Sequence, residues 1–200
     1  MLSLVLLLSA CGSSNSNTGY DSAPPAGEQE IIPGKNFFSM QAPEGYFEAF
    51  FENKYIGLSM HKTLLDGERK GQKIKFYTPE GSQRYEVKWN EADKMKLRKP
   101  DGTLLWKVKI YEDKLKIANN EEMTDAWEVK VYDKDKIKLK RNDEEHAEWR
   151  ILNEDLETYV LNEQTNVSNL RDPRYRGVIL VDALSREEQW IIMASLFAGF

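Results

Sequence analysis

The sequence has little of several residue types that mark specialised classes of protein. A single cysteine, Cys11, in 200 residues excludes an intramolecular disulfide framework and a zinc site built on cysteines. Twelve glycines and seven prolines are too few for a collagen-like or largely disordered chain. Basic residues do not predominate, because 28 Lys and Arg stand against 33 Asp and Glu. The resulting net charge of −5 argues against a nucleic-acid-binding protein that relies on a basic surface.

The composition that remains is typical of a folded globular chain. Apolar residues make up 40% of the sequence, charged residues 30% and aromatic residues 11%. If residues 1–34, which are discussed below as a leader and a linker, are not counted, the remaining length fits one domain. We therefore expect a single β-rich domain over residues 35–200.

The first ten residues are uncharged and mostly apolar, and they are followed directly by Cys11. The run is too short to span a bilayer, which needs about 20 apolar residues, but it matches the apolar part of a secretory signal peptide. Its start lacks the positive charge that usually precedes that part. Leu8-Ser9-Ala10-Cys11 resembles the lipobox of bacterial lipoproteins. The resemblance implies cleavage after residues 1–10 and lipid attachment at Cys11, with the membrane as a partner. The alternative is a buried N-terminal strand with an inert cysteine.

Residues 11–34 are rich in Gly, Ser, Asn and Pro and contain few apolar side chains. Such a segment cannot bury enough apolar surface to fold. We expect a disordered linker that tethers the folded domain to the lipid anchor.

From Lys73 onward the pattern is a strict alternation of apolar and polar residues, which is typical of β-strands with one buried face. Tyr85, Trp106, Trp127 and Trp149 recur at intervals of 21, 21 and 22 residues, so hairpins repeat along the chain. Strands are predicted at residues 73–76, 85–89, 95–97, 106–110, 115–117, 127–131 and 137–139. Turns are predicted at residues 66–67, 79–81, 100–102, 112–113 and 133–135.

The many lysines on the polar positions of these strands have two interpretations. They could form a basic surface for anionic lipid or polysaccharide, or they could be solvated positions that discourage edge-to-edge aggregation. The segment from Lys70 to Arg150 is nearly balanced in charge, which favours the second interpretation. The tryptophans could stack on sugars, but their register with inward Val, Ile and Leu favours a place in the core.

The character of the chain changes after Asp172-Pro173. Residues 176–182 are predicted to form a last strand. Ser185 and Glu188 form a capping-box pattern at the start of an apolar helix over residues 185–200. Because this helix is apolar on nearly every side, we expect it to be buried. The predicted fold is mainly β, an antiparallel meander of repeated hairpins curled into a barrel or strongly curved sheet around this helix.

The combination of Gly102-Thr-Leu-Leu-Trp-Lys-Val108 hairpins with the segment from Asp182 to Phe197 resembles the tubby C-terminal-like fold, which phospholipid scramblases and LURP-one-related proteins share. The resemblance covers about residues 36–200. It implies a twelve-stranded barrel around a central C-terminal helix. The basic phosphoinositide pocket of the tubby proteins has no identifiable counterpart in this sequence, so the resemblance implies no binding residues.

The sequence offers no catalytic constellation, so we expect a protein that is not an enzyme and has no cofactor or metal site. The two histidines, His61 and His146, lie on separate predicted segments, and neither has metal-ligand spacing to another candidate ligand. The carboxylates of residues 121–122 and 143–145 fall in predicted turns, where they need no catalytic role. His146, which follows directly, is interpreted as a solvated residue of the same turn.

Three functions are compatible with these features. The first is a lipid-anchored protein of the bacterial cell envelope, facing the periplasm or the exterior, with a β-domain that binds or scaffolds an envelope partner. The alternative is a carrier of an apolar ligand or lipid in a lipocalin-like barrel. The third is a hydrolase or glycan-processing enzyme, which would need a clustered carboxylate pair in a cleft.

Overall fold

The structure is a computed structural model that describes residues 36–42, 45–60, 63–132, 136–150, 158–161, 165–170 and 172–199. These residues belong to a compact unit that runs from Gly34 to Phe200. The leader, Cys11, the linker, His61 and the turn predicted at residues 133–135 lie outside the described residues.

The described chain is mainly β, as the alternating pattern predicts. The seven strands predicted between residues 73 and 139 are all present, and each extends by one or more residues beyond its predicted ends. The strands are β1 Asn36–Ala42, β2 Gly45–Glu52, β3 Tyr55–Met60, β4 Thr63–Lys70, β5 Lys73–Tyr77, β6 Gln83–Glu91, β7 Lys94–Arg98, β8 Leu104–Ile110, β9 Lys114–Ala118, β10 Trp127–Tyr132, β11 Lys136–Arg141, β12 Glu144–Arg150, β13 Thr158–Leu161 and β14 Thr165–Ser168.

One antiparallel sheet contains all of these strands. From β1 to β12 each strand pairs with the next along the chain, so this part is a meander of hairpins. The last hairpin, β13 and β14, returns to the other side of the sheet, where β14 pairs with β1. In the described part of the chain β12 and β13 are not paired with each other, and they are the two edges of the sheet.

The sequence leaves a barrel and a strongly curved sheet as alternatives, and the barrel is wrong for the described residues. Closure requires a hydrogen-bonded ladder between the two outermost strands, and β12 and β13 share none there. The sheet also has fourteen strands, whereas the resemblance to the tubby-like fold implies twelve in a closed barrel. That resemblance stays a prediction.

The core lies on one face of the sheet. Inward positions such as Ile74, Val87 and Val108 are fully buried, and the residues between them along each strand point outward. Trp89, Trp106 and Trp127 belong to this core, as their register predicts, and Trp149 packs against it from a partly buried position.

The segment after β14 crosses the inward face instead of adding a strand. Asp172 caps a short helix α1, Pro173–Arg176, by accepting a hydrogen bond from the Arg174 backbone N–H, and a 3₁₀ helix, Gly177–Leu180, follows. The strand predicted at residues 176–182 is therefore wrong. Val178 is fully buried and Gly177 lies against β10 and β11, so the apolar character of this run reflects burial against the sheet and not a place within it.

The helix predicted at residues 185–200 is present as α2, Arg186–Ala198, with the expected capping box between Ser185 and Glu188. Eight consecutive residues, from Gln189 to Leu196, are buried. Because eight residues span more than two helical turns, the helix is covered on every side of its axis. The Gln189 side-chain amide is satisfied there by donating to the carbonyls of Ile179 and Val181, at 3.1 and 3.0 Å.

Helix α2 packs against the first strands of the sheet through aromatic rings. The Trp190 ring stacks on Phe47 of β2, with their centroids 4.0 Å apart and their planes at 6°. Phe197 contacts Phe38 of β1 and Phe51 of β2, with centroids 5.3 and 4.7 Å away. At its other end Glu187 accepts a hydrogen bond from Arg84 of β6, at 2.6 Å. The C-terminal segment thus reaches from β10 and β11 to β1 and β2.

The turn predicted at Asp66-Gly67 is also wrong, because both residues lie inside β4. A Cβ on Gly67 would lie 2.8 Å from Cε1 of Phe76 and 3.1 Å from Cβ of Ile56. Glycine is therefore needed at this position for close packing, and the chain turns instead at Gly71, whose φ is +60°.

Packing of the C-terminal segment on the sheet predicts the effect of a single methyl group. Gly177 has an ordinary φ of −68°, but a Cβ there would lie 2.3 Å from Cγ1 of Val129 and 2.8 Å from Cγ2 of Ile137. We expect Gly177→Ala to lower the free energy of unfolding by about 1–3 kcal/mol through overpacking. Urea denaturation provides the measurement.

The control for this prediction is Gly57→Ala, where the nearest side-chain atom is 4.0 Å from the added Cβ. This change should alter the urea midpoint little. The double variant Gly177→Ala/Val129→Ala should lose less free energy of unfolding than the sum of the losses in the two single variants, because truncation of Val129 makes room for the added methyl group. Equal stability of Gly177→Ala and the parent chain would show that α1 and the 3₁₀ helix do not pack on β10 and β11 as described.

Candidate functional site

The outward surface of strands β7 to β11 is strongly basic, and we call it the basic face. On these five strands the positions that alternate with the buried ones hold one carboxylate, Glu128, and eleven cations. The cations are Lys94, Lys96, Arg98, Lys107, Lys109, Lys114, Lys116, Lys130, Lys136, Lys138 and Lys140. A chain with a net charge of −5 therefore concentrates positive charge on one surface of its sheet.

Protection of sheet edges does not account for these lysines. Lysine on an edge strand discourages pairing with another chain, but β7 to β11 are interior strands with a hydrogen-bonded neighbour on both sides. The edges of the described sheet are β12 and β13. The lysines of the basic face need another explanation.

Several of the lysines stand directly opposite each other in neighbouring strands. Lys109 of β8 is in register with Lys94 of β7 and with Lys116 of β9. Lys130 of β10 is likewise in register with Lys114 of β9 and Lys138 of β11. Like charges directly opposite each other in a sheet are destabilising, so these two rows oppose folding.

Carboxylates offset part of this repulsion by contacting several cations each. Glu121, in the loop after β9, lies 2.7, 3.0 and 3.5 Å from the side-chain nitrogens of Lys96, Arg98 and Lys107. Glu128 lies 2.9 and 2.5 Å from Lys114 and Lys116. Glu148 of β12 lies 2.9, 3.3 and 3.1 Å from Lys136, Lys138 and Arg150.

These contacts keep the three carboxylates ionised. Hydrogen bonding from Lys96 lowers the pKa of Glu121. Burial alone would raise the pKa of Glu128, but hydrogen bonds from Lys116 and Lys114 outweigh it, and the pKa is lowered. The pKa of Glu148 falls to about 2, chiefly because Lys136 donates a hydrogen bond to it.

Two tyrosine rings lie among the ammonium groups of the basic face. The Nζ atoms of Lys109 and Lys114 lie 5.0 and 5.8 Å from the centroid of the Tyr111 ring. Those of Lys130, Lys138 and Lys140 lie 5.3, 5.7 and 5.4 Å from the Tyr132 ring. Cation–π attraction of this kind holds the ammonium groups close to the sheet surface.

Lys109 and Lys140 differ from their neighbours because neither forms an ion pair with a carboxylate of the described residues. Their only contacts of this type are with the tyrosine rings. Each ammonium group therefore remains available to a negatively charged ligand.

The structure does not gather the other candidate residues into one site. Trp89, Trp106 and Trp127 are core residues and present no sugar-stacking surface. His146 lies exposed in β12, and not in the turn predicted for it, with its ring edge-on to Trp127 at 4.9 Å. The carboxylates of residues 121–122 lie in a loop, as predicted, whereas Glu144 and Glu145 begin β12. Among the described residues no group of three or more His, Cys, Asp and Glu side chains could hold a metal ion.

The sum of charges along the sequence does not reveal how basic this face is, because it counts outward strand positions and turns together. Lysines and carboxylates occur at similar frequency in the sequence, but most carboxylates of this region lie in turns, and the outward positions of β7 to β11 hold only one, Glu128. The sequence does hold a signal for this surface, since Lys-x-Lys occurs on or at the edge of four of the five predicted strands between residues 94 and 140.

Comparisons of the chain with protein-family models, with curated proteins and with solved structures found no match. No helix in the described part of the chain has the length and apolar character needed to cross a membrane.

The depressed pKa of Glu148 predicts a stability that depends on pH. A carboxyl whose pKa falls from 4.5 to about 2 on folding stabilises the protein above pH 4.5, and this contribution is lost as the pH falls toward 2. We expect Glu148→Gln to lower the urea midpoint at pH 7. The difference from the parent chain should shrink steadily between pH 4.5 and 2.

Glu144→Gln is the matched control, because Glu144 is an exposed residue of the same strand that forms no ion pair with another described residue. A loss of stability at pH 7 as large as that of Glu148→Gln would contradict the specific role of Glu148. So would a Glu148→Gln effect that does not change with pH.

Proposed function

We propose that this chain is a lipid-anchored protein of the bacterial cell envelope whose β-domain is a binding module without enzymatic activity. The observation that carries the binding role is the basic face, where eleven cations and one carboxylate occupy the outward positions of five interior strands. The support for the anchor is the lipobox-like segment that ends at Cys11.

The anchor and the binding module fit together through the linker. Residues 12–34 have the composition of a flexible chain, and as a random coil they would separate the lipid from the domain by about 25–30 Å. Two or three acyl chains at Cys11 would hold the protein firmly on a membrane. The domain would then meet ligands or partners close to the membrane without being embedded in it.

A binding role is favoured over a glycan hydrolase by the state of the carboxylates. A general acid needs a raised pKa so that it is protonated near neutral pH. Glu121, Glu128 and Glu148, the three carboxylates that each contact two or more cations of the basic face, have lowered pKa values because lysines donate hydrogen bonds to them. They neutralise cations and are poorly suited to donate a proton.

A carrier of an apolar ligand is less well supported. Such a protein needs an interior that is free of its own side chains. Here the inward face is packed by α2, where Ile191, Ile192 and Met193 are fully buried. We therefore favour a module that binds through its outward surface.

The anchor is tested by Cys11→Ser in cells that express the full-length chain. We expect the parent chain to stay with the membrane fraction through a wash in high salt, because acyl chains are not displaced by ions. The Cys11→Ser variant should be released by that wash. Immunoblotting of the fractions gives the readout, and Ser14→Ala is the control that should remain on the membrane.

Mass spectrometry of the purified parent chain adds a direct measurement. The proposal expects an N-terminus that begins at Cys11 and carries the mass of acyl groups. Retention of the Cys11→Ser variant on salt-washed membranes, or an unmodified Cys11 in the parent chain, would overturn the lipid anchor.

A further inference from the structure

We propose that the basic face binds a linear polymer of phosphate groups of the poly(glycerol phosphate) type. The inference rests on the proposed function in one respect, because a protein of the cell envelope would meet such a polymer there. It rests on the geometry of the sheet for the binding itself.

Six lysines of the basic face form one continuous line, which we call the lysine track. It runs across β7, β8 and β9 through Lys94, Lys109 and Lys116, which are aligned in register. It continues across β9, β10 and β11 through Lys114, Lys130 and Lys138, which are aligned likewise. The two rows meet on β9, where Lys114 and Lys116 are two residues apart and point to the same side.

The dimensions of the track follow from sheet geometry. Neighbouring strands lie about 4.8 Å apart, and outward residues of one strand are about 6.7 Å apart. Four steps between strands therefore give a line of cations about 19 Å long. A flexible chain with a negative charge on each repeat can follow this line and contact several ammonium groups in succession, so weak single contacts add up through avidity.

The fold alone does not require lysines to stand opposite one another along the track. Lys109 and Lys130 each stand between two other lysines, which opposes folding. Lys109 has no carboxylate partner among the described residues, and Lys130 has only Asp113, at 3.4 Å. Phosphate groups on the track would supply the negative charge that these two positions lack.

The face is better suited to a polymer than to a membrane surface. Binding to a bilayer increases with the apolar area that enters the headgroup region. The large apolar side chains that are most exposed, Phe50, Tyr55 and Leu64, lie on β2 to β4 and not on the basic face. On the basic face the rings of Tyr111 and Tyr132 are partly buried and covered by ammonium groups.

The same two rings argue against single-stranded nucleic acid. Proteins that bind it without sequence preference stack successive bases on open aromatic faces. The Tyr132 ring has three lysine ammonium groups within 5.7 Å of its centroid, which leaves little room for a base. Phosphate groups can contact those ammonium groups without displacing them.

The test compares the full-length chain, kept in mild detergent, with the variant Lys109→Gln/Lys130→Gln. Both changes remove the middle lysine of a row. Lys54→Gln/Lys70→Gln is the control with the same change of charge, since Lys54 lies in the turn between β2 and β3 and Lys70 at the end of β4. Lys70 also faces another lysine, Lys73, so the control removes a like-charge pair outside the basic face.

Binding of poly(glycerol phosphate) is measured by calorimetry over a range of salt concentrations. We expect the track variant to raise Kd at least tenfold and the control to change it less than twofold. The slope of log Kd against log salt should fall by about 1.4 in the track variant, at about 0.7 for each of the two removed cations that would release a counterion. Free glycerol phosphate should bind far more weakly per phosphate than the polymer.

Urea denaturation separates loss of binding from loss of fold. Because the removed lysines repel their neighbours, the track variant should be at least as stable as the parent chain. If it is destabilised, the single variant Lys109→Gln, which loses no ion pair to a described carboxylate, replaces it in the binding measurement with an expected rise in Kd of at least threefold.

Four results would overturn the proposal. They are no binding of the polymer by the parent chain, equal loss of affinity in the track variant and its control, tighter binding of the Cys11→Ser chain to phosphatidylglycerol vesicles than to the polymer, and tighter binding of the parent chain to single-stranded DNA of equal charge. The vesicle comparison uses the Cys11→Ser chain without detergent, because acyl chains at Cys11 would bind any bilayer. The vesicles carry the same glycerol phosphate group in a membrane, so they separate the two sources of that group. Anchoring at Cys11 is measured separately, by fractionation. Polymer binding can therefore fail while the anchor is confirmed, and the anchor can fail while polymer binding is confirmed.

Discussion

The structure depends on covering the apolar face of one large open sheet. Each strand from β1 to β11 contributes buried residues to the same face, and a hairpin cannot bury that face by itself. The C-terminal segment supplies the cover. It crosses from β10 and β11, where Gly177 allows close contact, to β1 and β2, where Trp190 stacks on Phe47. The burial of α2 on all sides therefore decides both where the core lies and which surface of the sheet is left to solvent.

The outward surface is then free to carry charge, and its charge is not evenly distributed. Strands β7 to β11 collect cations, and carboxylates from a loop and from β12 reach across to contact two or three of them at a time. The carboxylates are too few to match every lysine. The remaining repulsion within the two lysine rows is a cost to folding that the binding of a phosphate polymer would relieve.

Local pattern predicted the regular elements well and failed where a residue had two possible uses. The strands of the repeat and the capping box of α2 follow from alternation and capping, which act between residues close in sequence. The Asp-Gly pair at Gly67 predicts a turn, but the residue lies within β4. Glycine is present there because a side chain would clash with Phe76. The run from Arg176 to Asp182 is apolar enough for a strand, yet part of it forms a 3₁₀ helix because it is buried against strands distant in sequence. In both cases the deciding contact is tertiary.

The sequence by itself determined the strand pattern, the helix start and the residues available for charge, because spacing along the chain sets which side chains share a face. It also contained the lipobox-like segment before Cys11. Only the tertiary structure decided that the sheet is open in the described residues, that the chain returns through β14 to β1, and that the lysines face one another on interior strands. Register between strands aligns residues that are far apart in sequence, and it converts a chain with nearly balanced charge into a surface with a continuous line of cations.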